Sequence, residues 1–214
     1  REVLDLASGA AGPARILATE ILRAGRTPPR SVLTDLYPRI EAWEAARAEL
    51  PGVLDFELEP VDATRIPERL ATDRARVIIN AFHHLPPDIA RGVLEDAVLR
   101  RSPIFLAEAF ERDPRGFIPI ALPGLFAMLA TPLLTPRDRL AKALLVWSSP
   151  LVFAIGAWDG VVSTLRTYSR GDLETMVAPL GDGFVWTYGN YTFPLGGEGY
   201  YFHGVPRRTG GDRA

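Results

Sequence analysis

Val3-Leu4-Asp5-Leu6-Ala7-Ser8-Gly9-Ala10-Ala11-Gly12-Pro13 is the stretch on which the fold reading turns. An apolar strand runs into a turn of small residues and then into a helix start. Small residues let the backbone approach a ligand closely, and the amides of a helix N-terminus point at it. In open α/β sheets, ligands bind outside the carboxyl ends of the strands. A second acid, Asp35, ends the next strand 23 residues after Gly12. An acid about 20 residues beyond such a turn is where a ribose diol is held.

Outward from this stretch, apolar runs alternate with helical patterns. Pro13 to Ala24 reads as a helix, Ser31 to Asp35 as a strand and Pro38 to Leu50 as a helix with apolar positions three to four apart. Phe56 to Val61 reads as a strand, with a helical turn near Ile66–Leu70. Arg76 to Ala81 is a buried strand, Pro87 to Arg101 a helix and Ile104 to Glu108 a strand. Such repetition predicts a parallel sheet with right-handed crossovers. The rhythm then breaks at two uncharged stretches, 116–136 and 143–158, on either side of Arg137-Asp138-Arg139. Ser169 reads as the N-cap of a helix over Arg170–Ala178. Phe184, Trp186 and Tyr188 alternate with strand periodicity, Pro194 to Gly199 reads as a hairpin loop, and Tyr200-Tyr201-Phe202 opens a last strand.

The 214 residues are 47% hydrophobic and 23% charged, which excludes collagen, coiled coil and wholesale disorder. With no cysteine there is no disulfide, thiolate metal site or cysteine nucleophile, and the absence suits a reducing cytoplasm. A net charge of −2 gives no overall field toward nucleic acid, so no nucleic-acid partner is expected. Lys142 is the single lysine among 24 basic residues, which reads as the codon bias of a GC-rich bacterial genome. Residues 1–6 already form a core strand, so no targeting peptide is expected at this end, and a longer parent chain is.

The motif resembles that of the class I S-adenosylmethionine-dependent methyltransferases. Asp5 supplies the family's acid, Ala7 stands at its first glycine, Gly9 keeps the second, and Ala11, beside Gly12, replaces the third. The resemblance covers residues 2–109, and the closing helix and two strands fit the family's antiparallel hairpin. It implies S-adenosylmethionine as cofactor and S-adenosylhomocysteine as product. It also implies a cofactor site of Asp5, Ala7, Ser8, Gly9 and Gly12, of Asp35 and Leu36 after the second strand, of Asp62 and Ala63 after the third, and of Asn80 and Ala81 after the fourth. The chemistry agrees, because a ligand with an ammonium, a sulfonium and a ribose diol calls for carboxylates at separate strand ends. A nicotinamide-dependent oxidoreductase stays open, since Ala7-x-Gly9-x-x-Gly12 is one substitution from the dinucleotide fingerprint. A non-catalytic cofactor-binding module acting through a partner is the third reading.

Methyl transfer asks the enzyme chiefly to align the nucleophile and exclude water, with a base only where the acceptor must lose a proton. His83 and His84 follow the fourth strand, and either is a candidate base or a local packing residue. A metal role is not expected, because adjacent histidines rarely bind one ion together. Asp159 is a further catalytic candidate. Asp159, Ser163 and Arg166 share one face if residues 159–168 are helical, and they either line a pocket with Trp158 and Tyr168 or fix the helix by pairing. Glu108 ends the fifth strand, where it orients an acceptor or binds an arginine.

The expected fold is therefore α/β: a Rossmann-like, doubly wound, seven-stranded sheet, mostly parallel, with an antiparallel C-terminal hairpin and a helical cap insertion. The expected divisions are a cofactor-binding core at 1–112, an apolar cap at 113–158, the rest of the core at 159–207 and a frayed tail at 208–214. A membrane-spanning hairpin is opposed by Pro119, Pro123, Pro132 and Pro136 and by a second stretch of only 16 residues. Membrane-surface contact or a homodimer through the apolar block remains open. A cap over an apolar pocket implies a small, greasy acceptor.

Overall fold

The computed structural model describes residues 2–135, 138–192 and 197–207. Seven strands form one sheet in the order β3-β2-β1-β4-β5-β7-β6. The first five are β1 (Glu2–Asp5), β2 (Arg30–Leu33), β3 (Leu54–Phe56), β4 (Ala75–Ile79) and β5 (Ile104–Glu108). They pair in parallel, with Asp5 level with Leu33 on one side and Val77 on the other. The last two, β6 (Phe184–Thr192) and β7 (Glu198–Pro206), form the antiparallel hairpin. Order and direction match the doubly wound expectation. Most of the expected hairpin loop, at 193–196, and the tail at 208–214 lie outside the described residues.

The helices between these strands are α1 (Gly12–Arg23), α2 (Ile40–Glu49), the single turn α3 (Glu68–Ala71) and α4 (Pro87–Leu99). Pro13 and Pro87 stand in first turns, where a missing amide hydrogen costs nothing. After β5 come α5 (Pro114–Leu134), α6 (Arg139–Ser148), α7 (Leu151–Arg166) and α8 (Arg170–Val177). The third strand departs from expectation. It is three residues long and ends at Phe56, not Val61, because its ladder with β2 runs only from Ser31–Leu54 to Leu33–Phe56. Glu57 gives the last bond to the Leu33 carbonyl, 3.0 Å; past Pro60, which has no amide hydrogen to offer, the Val61 amide returns to the Asp35 carbonyl at 2.9 Å.

Two compact units emerge. The first holds residues 1–108, 170–189 and 201–214, and the second holds 109–169 and 190–200. The boundary expected at residue 158 falls inside α7, where Trp158-Asp159-Gly160 sits mid-helix and nothing stops the backbone before Thr167. In the first unit, Ala11, Ala14, Leu33, Trp43, Ala46 and Leu54 form a buried cluster that clamps the first loop onto β2 and α2. Arg76, Ile78, Ile104 and Leu106 are buried in the sheet, and α4 packs against α8.

In the second unit, α5 runs through Pro123 and Pro132, and Asp113 caps it by accepting from the Arg115 amide at 2.9 Å. The uncharged stretch 143–158 is broken at Ser149-Pro150, and the Ser149 hydroxyl accepts from the Leu151 amide at 3.1 Å. Among the described residues no single helix is long and apolar enough to cross a membrane. The pair α6–α7 meets that test together but is bent by 80°.

Candidate active site

The loop after β1 is wound by three left-handed residues: Ala7 (φ 53°), Gly9 (φ 52°) and Ala11 (φ 65°). These are the positions where glycine is the easy residue, which is why the family resemblance aligned glycines with them. Two alanines bear the conformation instead. Nothing lies within 4 Å of a Cβ built on Gly9, so it is the backbone angle, not crowding, that asks for glycine there. Each alanine in this region costs about 1–2 kcal/mol. We therefore expect Ala7→Gly to raise stability by about 1 kcal/mol. A denaturant midpoint that stays put or falls would show that the Ala7 methyl contributes packing of equal size.

The strain is held by bonds from every neighbouring segment. The Ser8 hydroxyl donates to the Asp5 carbonyl at 2.8 Å and accepts from the Thr34 amide at 3.1 Å. The Ser8 amide donates to the Thr34 carbonyl at 3.0 Å, and the Thr34 hydroxyl donates to the Asp5 carbonyl at 2.8 Å. The Gly9 amide donates to Asp35 Oδ2 at 2.9 Å, and the Trp43 indole donates to the Gly9 carbonyl at 2.8 Å. The tips of β1 and β2 are thus one hydrogen-bonded body.

Asp5 is 7% exposed. Burial, helped by the charge of Asp35 and opposed by Ser8, pushes its carboxyl up to about 7. It borders a narrow cleft of about 60 Å³ between β1, β4 and α1, with Val3, Ala14, Leu17 and Val77. Asp35 is half-buried, and besides Gly9 it accepts from the Tyr37 amide at 2.9 Å. A carboxylate has about four acceptor sites, so two of these bonds leave capacity for a diol. Leu36 and Tyr37 beside it are exposed, Tyr37 at 78%.

Asp62 is exposed, and its Oδ1 accepts from the amide (2.8 Å) and hydroxyl (2.7 Å) of Thr64, fixing the turn that presents Ala63. Asn80 takes a left-handed φ of 55° directly after β4, and its amide donates to the Ala107 carbonyl at 2.7 Å. This break aims Ala81 and the 3₁₀ turn Phe82–His84 off the sheet end.

His83 is 3% exposed and Glu108 fully buried. Glu108 Oε1 accepts from the His83 amide at 3.1 Å, and Oε2 meets His83 Nδ1 at 2.7 Å. Both oxygens of Glu108, expected to orient an acceptor or bind an arginine, engage His83. The His84 ring is exposed and lies 4.1 Å from that of His83, centroid to centroid. The link from the end of β5 back to the turn after β4 was not legible, because 25 residues separate the partners.

The remaining candidates belong to the second unit. Ser163 is buried in α7, while Trp158, Asp159 and Arg166 are exposed along it, so the shared polar face is split by burial. The Ser163 carbonyl accepts from the amide and hydroxyl of Thr167 at 3.1 Å each. Tyr168 is buried beyond the helix end, next to Thr167, whose carbonyl accepts from Arg112 Nε at 2.7 Å. Asp159, the further catalytic candidate, is exposed on a helix flank.

Among solved structures, the chain is similar to the citrinin polyketide synthase CMeT domain (12% identity, TM-score 0.56, covering 95% of this chain and 46% of that one). It is similar to the O-methyltransferase NcsB1 from neocarzinostatin biosynthesis, solved with S-adenosylmethionine and 2-hydroxy-5-methyl naphthoic acid (12%, TM-score 0.55, 96% and 49%). It is also similar to magnesium protoporphyrin IX methyltransferase from Synechocystis with bound S-adenosylhomocysteine (12%, TM-score 0.51, 96% and 73%). The chain spans about half the length of the first two. No protein-family model and no curated protein matches the sequence. The fold is that of the class I S-adenosylmethionine-dependent methyltransferases.

Proposed function

We propose that the chain binds S-adenosylmethionine at the tips of β1, β2 and β4 and transfers its methyl group to a small, largely apolar acceptor. The observation that carries this reading is the pair Asp5 and Asp35, held at neighbouring strand tips by one hydrogen-bonded loop. Asp5 suits a cation such as an ammonium, and Asp35 suits a diol. A dinucleotide brings a pyrophosphate, and a buried carboxyl against the loop repels it, which disfavours the oxidoreductase. When bound, the cofactor supplies a carbon already activated for displacement.

The chain's own residues orient and deprotonate. Glu108 fixes the ring of His83 through Nδ1, and His83 takes a proton from an acceptor hydroxyl. The apolar character of α5 to α7 supports an acceptor that is itself apolar. The acceptor's identity is the part to establish first, by methyl transfer from labelled S-adenosylmethionine to a panel of hydroxylated aromatic, isoprenoid and polyketide compounds.

Calorimetry with S-adenosylmethionine, S-adenosylhomocysteine and NAD tests the cofactor. We expect binding of the first two and none of the third; NAD binding alone would transfer the reading to hydride chemistry. Binding without turnover on any acceptor would favour a cofactor-binding module. Asp35→Ala is expected to weaken cofactor binding by roughly 1–3 kcal/mol. An unchanged affinity would mean that the ribose is held elsewhere.

A further inference from the structure

Trp43 takes no part in the scheme above, yet it is bonded to the loop on which that scheme depends. Its side chain is fully buried on α2, in the cluster with Ala11, Ala14 and Leu33. Its ring lies 5.9 Å from that of Phe56, centroid to centroid. Any large apolar ring could supply that packing. The indole brings one thing more, a single N–H that seeks an acceptor when buried. It meets the Gly9 carbonyl at 2.8 Å.

That bond fixes a peptide plane. The peptide between Gly9 and Ala10 is trans. In a planar trans peptide the carbonyl and the following amide point in opposite directions. With the Gly9 carbonyl drawn inward to α2, the Ala10 amide is turned outward. Its neighbours in the loop are all engaged within the protein. The Ser8 amide donates to the Thr34 carbonyl at 3.0 Å, the Gly9 amide to Asp35 Oδ2 at 2.9 Å and the Ala11 amide to the Ser8 carbonyl at 2.8 Å. The Ala10 amide has no acceptor among the described residues, and Ala10 is exposed. A backbone donor without a partner in the protein serves water or a ligand.

S-adenosylmethionine and S-adenosylhomocysteine carry an ammonium and a carboxylate on one carbon. Asp5 suits the ammonium and repels the carboxylate, which therefore needs a donor of its own close by. We propose that Trp43 is a positioning residue for the cofactor, holding the peptide between Gly9 and Ala10 so that the Ala10 amide faces the ligand carboxylate. Without the indole, the Gly9 carbonyl is an acceptor turned into the core with no partner, which is costly. Rotating the peptide returns that carbonyl to water, but it turns the Ala10 amide inward and sets an oxygen against the carboxylate. This role rests on S-adenosylmethionine being the ligand of the β1 and β2 tips.

Calorimetry with two ligands tests it. One is S-adenosylhomocysteine. The other is its decarboxylated analogue S-adenosyl-3-thiopropylamine, which keeps the adenosine and the amine and lacks only the carboxylate. Trp43→Phe is expected to weaken S-adenosylhomocysteine about tenfold and to leave the amine within about twofold. Benzothienylalanine at position 43 keeps the double ring with sulfur in place of the N–H, so it decides the matter if phenylalanine disturbs the packing; the same split is expected. Melting curves confirm that each variant is folded. A folded variant without the N–H that binds S-adenosylhomocysteine as the wild type does overturns the role. So does an equal loss for both ligands, which would make Trp43 a support of the loop alone. A wild-type chain that binds neither ligand removes the cofactor reading itself, and this role with it.

Discussion

Asp5→Asn is expected to make the ligand-free protein more stable at pH 8 while removing most of its affinity for S-adenosylmethionine. The sign follows from where the proton sits. In the unfolded chain Asp5 loses its proton near 3.8, and in the folded chain burial holds it until about 7. Between these values the folded state binds a proton that the unfolded state has released, so stability falls as pH rises through the window and levels off above it. About three pH units correspond to a cost on the order of 4 kcal/mol. Asparagine does not titrate, so the gap between variant and wild type should widen from pH 4 to 7 in urea midpoints. A parallel pair of pH curves would show that Asp5 ionises freely.

Binding runs the other way. A ligand ammonium stabilises the ionised carboxyl, so wild-type affinity should rise from pH 6 to 8 with release of a proton. The variant should bind about 1.5–3 kcal/mol more weakly at pH 8 and lose the pH dependence. The acid is thus a cost to the fold that only the ligand offsets.

The second large effect falls on His83 and Glu108. His83→Ala should lower the rate of transfer to a hydroxyl acceptor about 10²- to 10⁴-fold, the usual weight of a positioned base. Affinity for S-adenosylhomocysteine should be unchanged. Glu108→Gln keeps the shape but no longer fixes which ring nitrogen carries the proton, so it should also slow transfer without weakening S-adenosylhomocysteine binding. A role in folding alone would predict a lower melting temperature with an unaltered rate per folded molecule. Glu108→Ala leaves the buried ring without its partner and should cost about 1–3 kcal/mol of stability.

How much of this was legible can be judged residue by residue. The β1 loop was legible because its signal is local: an apolar run, an acid, small residues and a helix start within eleven positions. Asp35 was legible because its distance along the chain is set by the length of one helix and one strand. The left-handed angles at Ala7 and Ala11 were not, since alanine does not advertise such a conformation. Glu108 was placed at a strand end, but its bonds to His83 were not foreseen. The polar face expected on α7 failed for a related reason. Spacing puts Asp159, Ser163 and Arg166 along one side, but which part of a helix is buried depends on what packs beside it.

The sequence by itself determined the strand–helix alternation, the two acids at strand tips and the apolar helical block, because each is written in periodicity within one or two elements. Only the tertiary structure decided that Glu108 secures His83, that burial raises the Asp5 carboxyl, and that Trp158 and Leu165 on α7 are exposed. Those three depend on strand order and burial, which bring together residues that the chain keeps far apart and set how much water each one sees.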